Sequence, residues 1–112
     1  MPAGLVSGEE LQTIRSAIRS QFSRLYGNRL VQLTLYGSQA RGDAKLWSDI
    51  DVLVVLRGPV RPSLEVRRTG VIVSSLSLEH DTVIQCLFVD EERFRRGMDP
   101  LRGVVAAEGI EL

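Results

Sequence analysis

The chain has 112 residues, with 14 basic and 14 acidic side chains, one His and one Cys. That length suits one core and one domain, and the zero formal charge gives no field that favours a nucleic-acid backbone, so nonspecific nucleic-acid binding is not expected. A lone Cys86 excludes a disulfide framework and a zinc site of Cys ligands. No run approaches the ~20 apolar residues of a membrane span and no signal-like segment opens the chain, so a cytoplasmic protein without a membrane role is expected.

Ser7-Gly8-Glu9-Glu10 has the spacing of a capping box, and Leu11, Ile14, Ile18, Phe22 and Leu25 then recur at steps of three and four. This predicts an amphipathic helix, stopped at Gly27-Asn28 by residues that tolerate the left-handed conformation. From Arg29 to Tyr36, Leu30, Gln32, Thr34 and Tyr36 alternate with Val31, Leu33 and Leu35, the pattern of a strand with one thoroughly apolar face. Gly37-Ser38 ends it, Ala40 to Ala44 suits a short helix, and Lys45-Leu46-Trp47-Ser48 crosses to a second strand, Asp49 to Arg57. Gly58-Pro59 and Pro62 mark a break.

Between Ser63 and His80 two signals compete. Val71-Ile72-Val73 favours strand locally, whereas Leu64, Val71 and Leu78 recur at a seven-residue step that favours helix. Helix is the better reading if the next strand lies parallel to the second, because that connection needs a crossover of a dozen or more residues. Asp81 to Val89, rich in Val, Ile, Thr and Phe, is the third strand. Asp90 caps a short turn through Phe94, and Asp99-Pro100 forms the N-cap and N1 pair of a last helix that Gly109 stops after Glu108. The expected fold is α/β of the α+β type: one domain over residues 1–112, a small mixed sheet flanked by helices.

The chemistry concentrates in Gly37-Ser38-Gln39-Ala40-Arg41-Gly42 and Asp49-Ile50-Asp51. A glycine-serine turn at the end of a strand lets backbone N–H groups and a hydroxyl approach a polyphosphate. Asp49 and Asp51 share one face of the next strand, roughly 7 Å apart at Cα, close enough to converge on one or two hard cations. Gly-Ser-x-Ala-Arg-Gly, five residues, then Ser48-Asp49-x-Asp51 and an apolar strand resembles the signature of the minimal nucleotidyltransferases of the polymerase-β-like superfamily. Beyond Val55 the likeness lies in the order of elements and in the Glu108-Gly109-Ile110-Glu111-Leu112 tail.

The resemblance implies transfer of a nucleoside monophosphate, AMP by preference, from an NTP such as ATP to a hydroxyl acceptor, with Mg2+ as cofactor. Asp49 and Asp51 would be catalytic and metal ligands; Gly37, Ser38 and Arg41 would bind the nucleotide's phosphates. Each has a plainer reading: solubilising acids at a strand edge, a turn glycine, a helix N-cap, an arginine bracing an acid. Complete family members resemble one another in a third acid on a later strand. Asp81 fills that catalytic place if register brings the strand's start level with Asp49 and Asp51; Gln85 is the other occupant. Lys45 is a phosphate candidate only if its loop folds over the site, and Trp47 reads as a loop aromatic covering the core. The only histidine, His80, reads as an incidental surface residue, and Cys86 as a small core hydrophobe.

Larger relatives use an added helical region to hold base or acceptor, so a chain this short is expected to form a homo-oligomer or to join a small helical partner. The alternative function is accordingly an antitoxin-like, nucleotide-binding subunit with weak or lost catalysis, partnered by a small helical protein of the HEPN kind.

Overall fold

The computed structural model describes residues 8–41, 49–97 and 101–112. The first amphipathic pattern becomes helix α1, Gly8–Tyr26, which buries Ile14, Ile18, Phe22 and Tyr26. Leu25, placed on the apolar stripe by its spacing, is instead 44% exposed. The last core position belongs to Tyr26, because its ring packs edge-on against Phe22 while its hydroxyl donates to buried Glu65 at 2.9 Å. Gly27, at φ 54°, turns the chain through a 3-10 segment, Gly27–Arg29, into strand β1, Leu30–Tyr36. The proposed cap at Ser7 lies outside the described residues.

Helix α2, Ser38–Arg41, is one short turn, and strand β2 is Ile50–Leu56. Helix α3, Pro62–His80, carries Pro at its start, where no intrahelical N–H is needed. Strand β3, Ile84–Asp90, is followed by α4, Glu91–Arg95, whose N-cap Asp90 accepts from the Arg93 N–H. Helix α5 is Leu101–Glu108 and strand β4 is Ile110–Glu111. The Asp99-Pro100 pair expected at the start of α5 lies outside the described residues.

These strands form one sheet in the order β3-β2-β1-β4. β1 pairs antiparallel with β2 and β4, while β2 and β3 are parallel, so α3 is the crossover that the connection demanded. One side of the sheet packs Leu33, Leu35, Ile50, Val52, Val54, Leu56, Ile84 and Phe88 against α1 and α3. On the other side Leu53, Val55 and Val89 pack with Val105 of α5.

Three details differ from the sequence pattern. Val31 does not share the face of Leu33 and Leu35: register shifts between Leu30 and Gln32, and this bulge turns Val31 toward the α5 side. In α3 the helix is as expected, but of its seven-residue stripe Leu64 is half-buried while Val71 is 80% and Leu78 84% exposed. The buried positions are Glu65, Thr69 and Leu76. A carboxylate is tolerated there because Tyr26 donates to it and Arg29 and Arg68 stand 3.8 and 3.4 Å away. Finally β3 begins later than Asp81. That residue is the left-handed C-cap of α3, at φ 49° and ψ 52°, with its N–H returned to the Ser77 carbonyl, so the chain closes the helix before it extends. Among the described residues no helix is long and apolar enough to cross a membrane.

Candidate functional site

β1 ends where β2 begins: Tyr36 lies opposite Asp51 in the antiparallel register. Ile50, Val52, Val54 and Leu56 face the α1 and α3 side, so Asp49 and Asp51 continue the opposite row of Leu53 and Val55. That row is apolar where α5 covers it and acidic where the cover ends. Asp51 is half-buried. Burial first, and the adjacent Asp49 carboxylate second, raise its carboxyl above the ordinary range. A cation between the two acids would relieve both effects.

Gly37 follows immediately at φ 79°, and a Cβ there would stand 2.6 Å from Asp51 Oδ2. Glycine is thus needed for the backbone conformation and for the approach of the carboxylate. The Ala40 and Arg41 N–H groups both donate to the Gly37 carbonyl at 3.1 Å, closing α2 directly beside the acids. Ser38 opens that turn. Its side chain, together with Gly42, Lys45 and Trp47, lies outside the described residues.

Arg41 braces an acid, but a distant one. Its Nη1 donates to Glu108 Oε1 and Oε2 at 3.0 and 3.2 Å, and Glu108 Oε1 also accepts the Gly37 N–H at 3.3 Å. Nothing in the local sequence marks Glu108 for this; a separation of 67 residues from Arg41 is bridged only by the sheet and α5. The available signal is its place before the helix-stopping Gly109.

On the third strand, Gln85 is the residue level with Asp51, and the Ile50 N–H reaches the Val83 carbonyl at 2.8 Å. Gln85 Nε2 donates to Asp49 Oδ2 at 2.5 Å. Asp81 sits before the strand in the α3 cap and is not brought to the pair. Among the described residues no group of three or more His, Cys, Asp or Glu side chains is arranged to hold a metal. The two carboxylates are oxygen donors of the kind that holds a hard cation, and the Gln85 amide hydrogen-bonds to one of them. His80 is away from this chemistry and is not incidental: its Nδ1 pairs with Glu10 Oε2 at 3.1 Å, tying α3 to α1. Cys86 is half-buried, and burial pushes its thiol up to about 12.

A small α+β domain that sets a glycine turn against an Asp-x-Asp strand belongs by architecture with the nucleotide-transferring folds. Residues 15–100 match the family described as Nucleotidyltransferase domain, about three quarters of the chain, and the protein belongs to that family. No curated protein matches it significantly. Among solved structures it is similar to a candidate nucleotidyltransferase from Sulfolobus solfataricus, at 19% identity and TM-score 0.60 over 90% of this chain and 77% of that one. A toxin-antitoxin structure with AMP-PNP is 21% identical, at TM-score 0.59 over 87% of this chain and 70% of that one. A toxin-antitoxin MntA-HpeT mutant bearing two Asp-to-Glu changes is 18% identical, at TM-score 0.56 over 89% and 69%. Likeness at these identities shows a shared fold.

Proposed function

We propose that this nucleotidyltransferase moves a nucleoside monophosphate, AMP by preference, from an NTP to a hydroxyl acceptor with the help of magnesium. The carrying observation is the contact between turn and acids, where Asp51 Oδ2 lies 2.6 Å from the position a Gly37 Cβ would take. A phosphate held in the turn is then within reach of a cation held by Asp49 and Asp51. The AMP-PNP in one structural neighbour supports an adenine nucleotide.

In this reading Asp49 and Asp51 hold the cation, the Gly37-Ser38 turn holds the triphosphate, and Arg41 adds positive charge beside it. The magnesium ion supplies neutralisation of the phosphate charge and activation of the acceptor hydroxyl. Gln85, by donating to Asp49, holds that carboxylate in place while contributing no charge of its own. Asp81 has no part in this assignment. Nucleotide binding is thereby favoured over fast transfer.

Calorimetric titration with a non-hydrolysable ATP analogue, with and without magnesium, tests the reading. Magnesium-dependent binding should be lost in the Asp49→Asn, Asp51→Asn double variant; equal binding by that variant would end it. A second reading is favoured by Gln85 beside the acids and by the two toxin-antitoxin neighbours: an antitoxin-like subunit that controls a small helical partner, with catalysis secondary. Co-purification of such a partner without nucleotide turnover selects it, whereas a self-associated chain that labels an acceptor selects the transferase.

A further inference from the structure

We infer that Glu108 is a positioning residue for the phosphate turn, acting through Arg41 and the Gly37 amide; the inference rests on the nucleotide assignment above. Glu108 lies beyond the residues that match the family, and its side chain is 21% exposed. One carboxylate engages both ends of a five-residue turn: the backbone N–H of Gly37 at 3.3 Å and the guanidinium of Arg41 at 3.0 Å.

The turn needs such a clamp. α2 spans only Ser38–Arg41, too short to hold itself as a helix. Arg41 has a long stem and its side chain is 45% exposed, so a fixed carboxylate that accepts from its guanidinium at 3.0 and 3.2 Å narrows the rotamers it samples. The clamp's own position is fixed by the fold. After Glu108, a Cβ on Gly109 would meet the Val105 carbonyl at 2.5 Å and Thr34 Cγ2 at 2.6 Å, so that residue is pressed against β1. The next two residues pair with Leu35 and Thr34. The C-terminal helix and strand thus carry a carboxylate to the turn from a rigid base. Asp51 occupies the space a side chain at Gly37 would need, so the glycine is fixed in kind by one acid and hydrogen-bonded by the other.

Glu108 therefore keeps Arg41 pre-oriented toward bound phosphate and lowers the ordering cost of nucleotide binding. The opposite reading of the same contacts is that the carboxylate competes with phosphate for those donors. The two differ in the sign of one measurement.

The test titrates the wild-type chain, Glu108→Gln and Glu108→Ala with a magnesium-bound non-hydrolysable ATP analogue and, separately, with inorganic tripolyphosphate. Thermal midpoints and the Gly37 amide resonance are followed in parallel. Expected is about tenfold weaker binding of both ligands by Glu108→Gln, larger loss in Glu108→Ala, a shifted and faster-exchanging Gly37 amide in both, and a Glu108→Gln midpoint within a few degrees of wild type. Unchanged binding in both variants would make Glu108 purely structural and overturn the inference, and tighter binding would overturn it in favour of competition. A wild-type chain that binds neither ligand removes the nucleotide assignment itself, and the inference with it. That result is told apart because the Gly37 amide still reports the clamp.

Discussion

Gly37→Ala probes the site most directly, because two separable terms act on it and the molecule contains its own control. At φ 79° an alanine pays the left-handed penalty, ~1–2 kcal/mol. Its Cβ must also drive Asp51 Oδ2 from 2.6 Å to the 3.4 Å of ordinary contact, which forces the carboxylate off its rotamer for ~0.5–1.5 kcal/mol more. Gly58 has the same φ of 79° and nothing within 4 Å of its would-be Cβ, so Gly58→Ala carries the first term alone. At roughly 4 °C per kcal/mol for a domain of this size, Gly58→Ala should lower the midpoint by roughly 4–8 °C and Gly37→Ala by a further 2–6 °C. Differential scanning calorimetry gives both numbers, and titration with magnesium and the ATP analogue should show binding lost in Gly37→Ala and kept in Gly58→Ala. Equal destabilisation by the two substitutions, or intact binding in Gly37→Ala, would refute the close approach of turn and carboxylate.

Asp51→Asn should stabilise the metal-free chain at pH 7, because burial and the neighbouring Asp49 carboxylate both oppose the charged form of Asp51. The sign follows from the raised carboxyl: the folded state holds that proton more tightly, so its contribution to stability is full below the ordinary value of 3.8 and is lost as pH rises through the folded value. Urea unfolding between pH 3 and pH 8 measures the difference, and a variant less stable than wild type at pH 7 would contradict it. Tyr26→Phe removes the hydroxyl that donates to Glu65, whose side chain is 2% exposed, and should cost ~1–3 kcal/mol in the same assay. A loss near zero would mean that Arg29 and Arg68 satisfy the carboxylate alone. With its thiol pushed up to about 12, Cys86 should react with iodoacetamide at pH 8 at least ~100-fold more slowly in the folded chain than in urea; similar rates would place it at the surface.

Much of the fold was readable in the residues because the signals are local. The steps from Ile14 to Phe22, the prolines and glycines between elements, the alternation of β1 and the apolar run of β2 each report on a few neighbours along the chain. The parallel third strand was readable at one remove, through the crossover length that α3 supplies. The failures came from tertiary partners. The stripe of Leu64, Val71 and Leu78 favoured the correct element and the wrong face, since the buried face of α3 includes a glutamate that only Tyr26, Arg29 and Arg68 make tolerable. Val31 changed sides because of a bulge that alternation cannot reveal.

At the candidate site the division is similar. The glycine turn and the Asp-x-Asp strand were legible from spacing, whereas their meeting across an antiparallel pair is fixed by the register of β1 and β2. Whether Asp81 or Gln85 stands beside the acids depended on strand register, which is set by hydrogen bonds between β2 and β3 and by where the α3 cap releases the chain. That Glu108 reaches Arg41 depended on the return of the C-terminal strand to β1. Sequence by itself determined the kinds of donors and the elements that carry them, because these follow from composition and short-range periodicity. Tertiary structure alone decided which distant side chains complete them, because charge pairing and close contact act through space and leave no fixed interval along the chain.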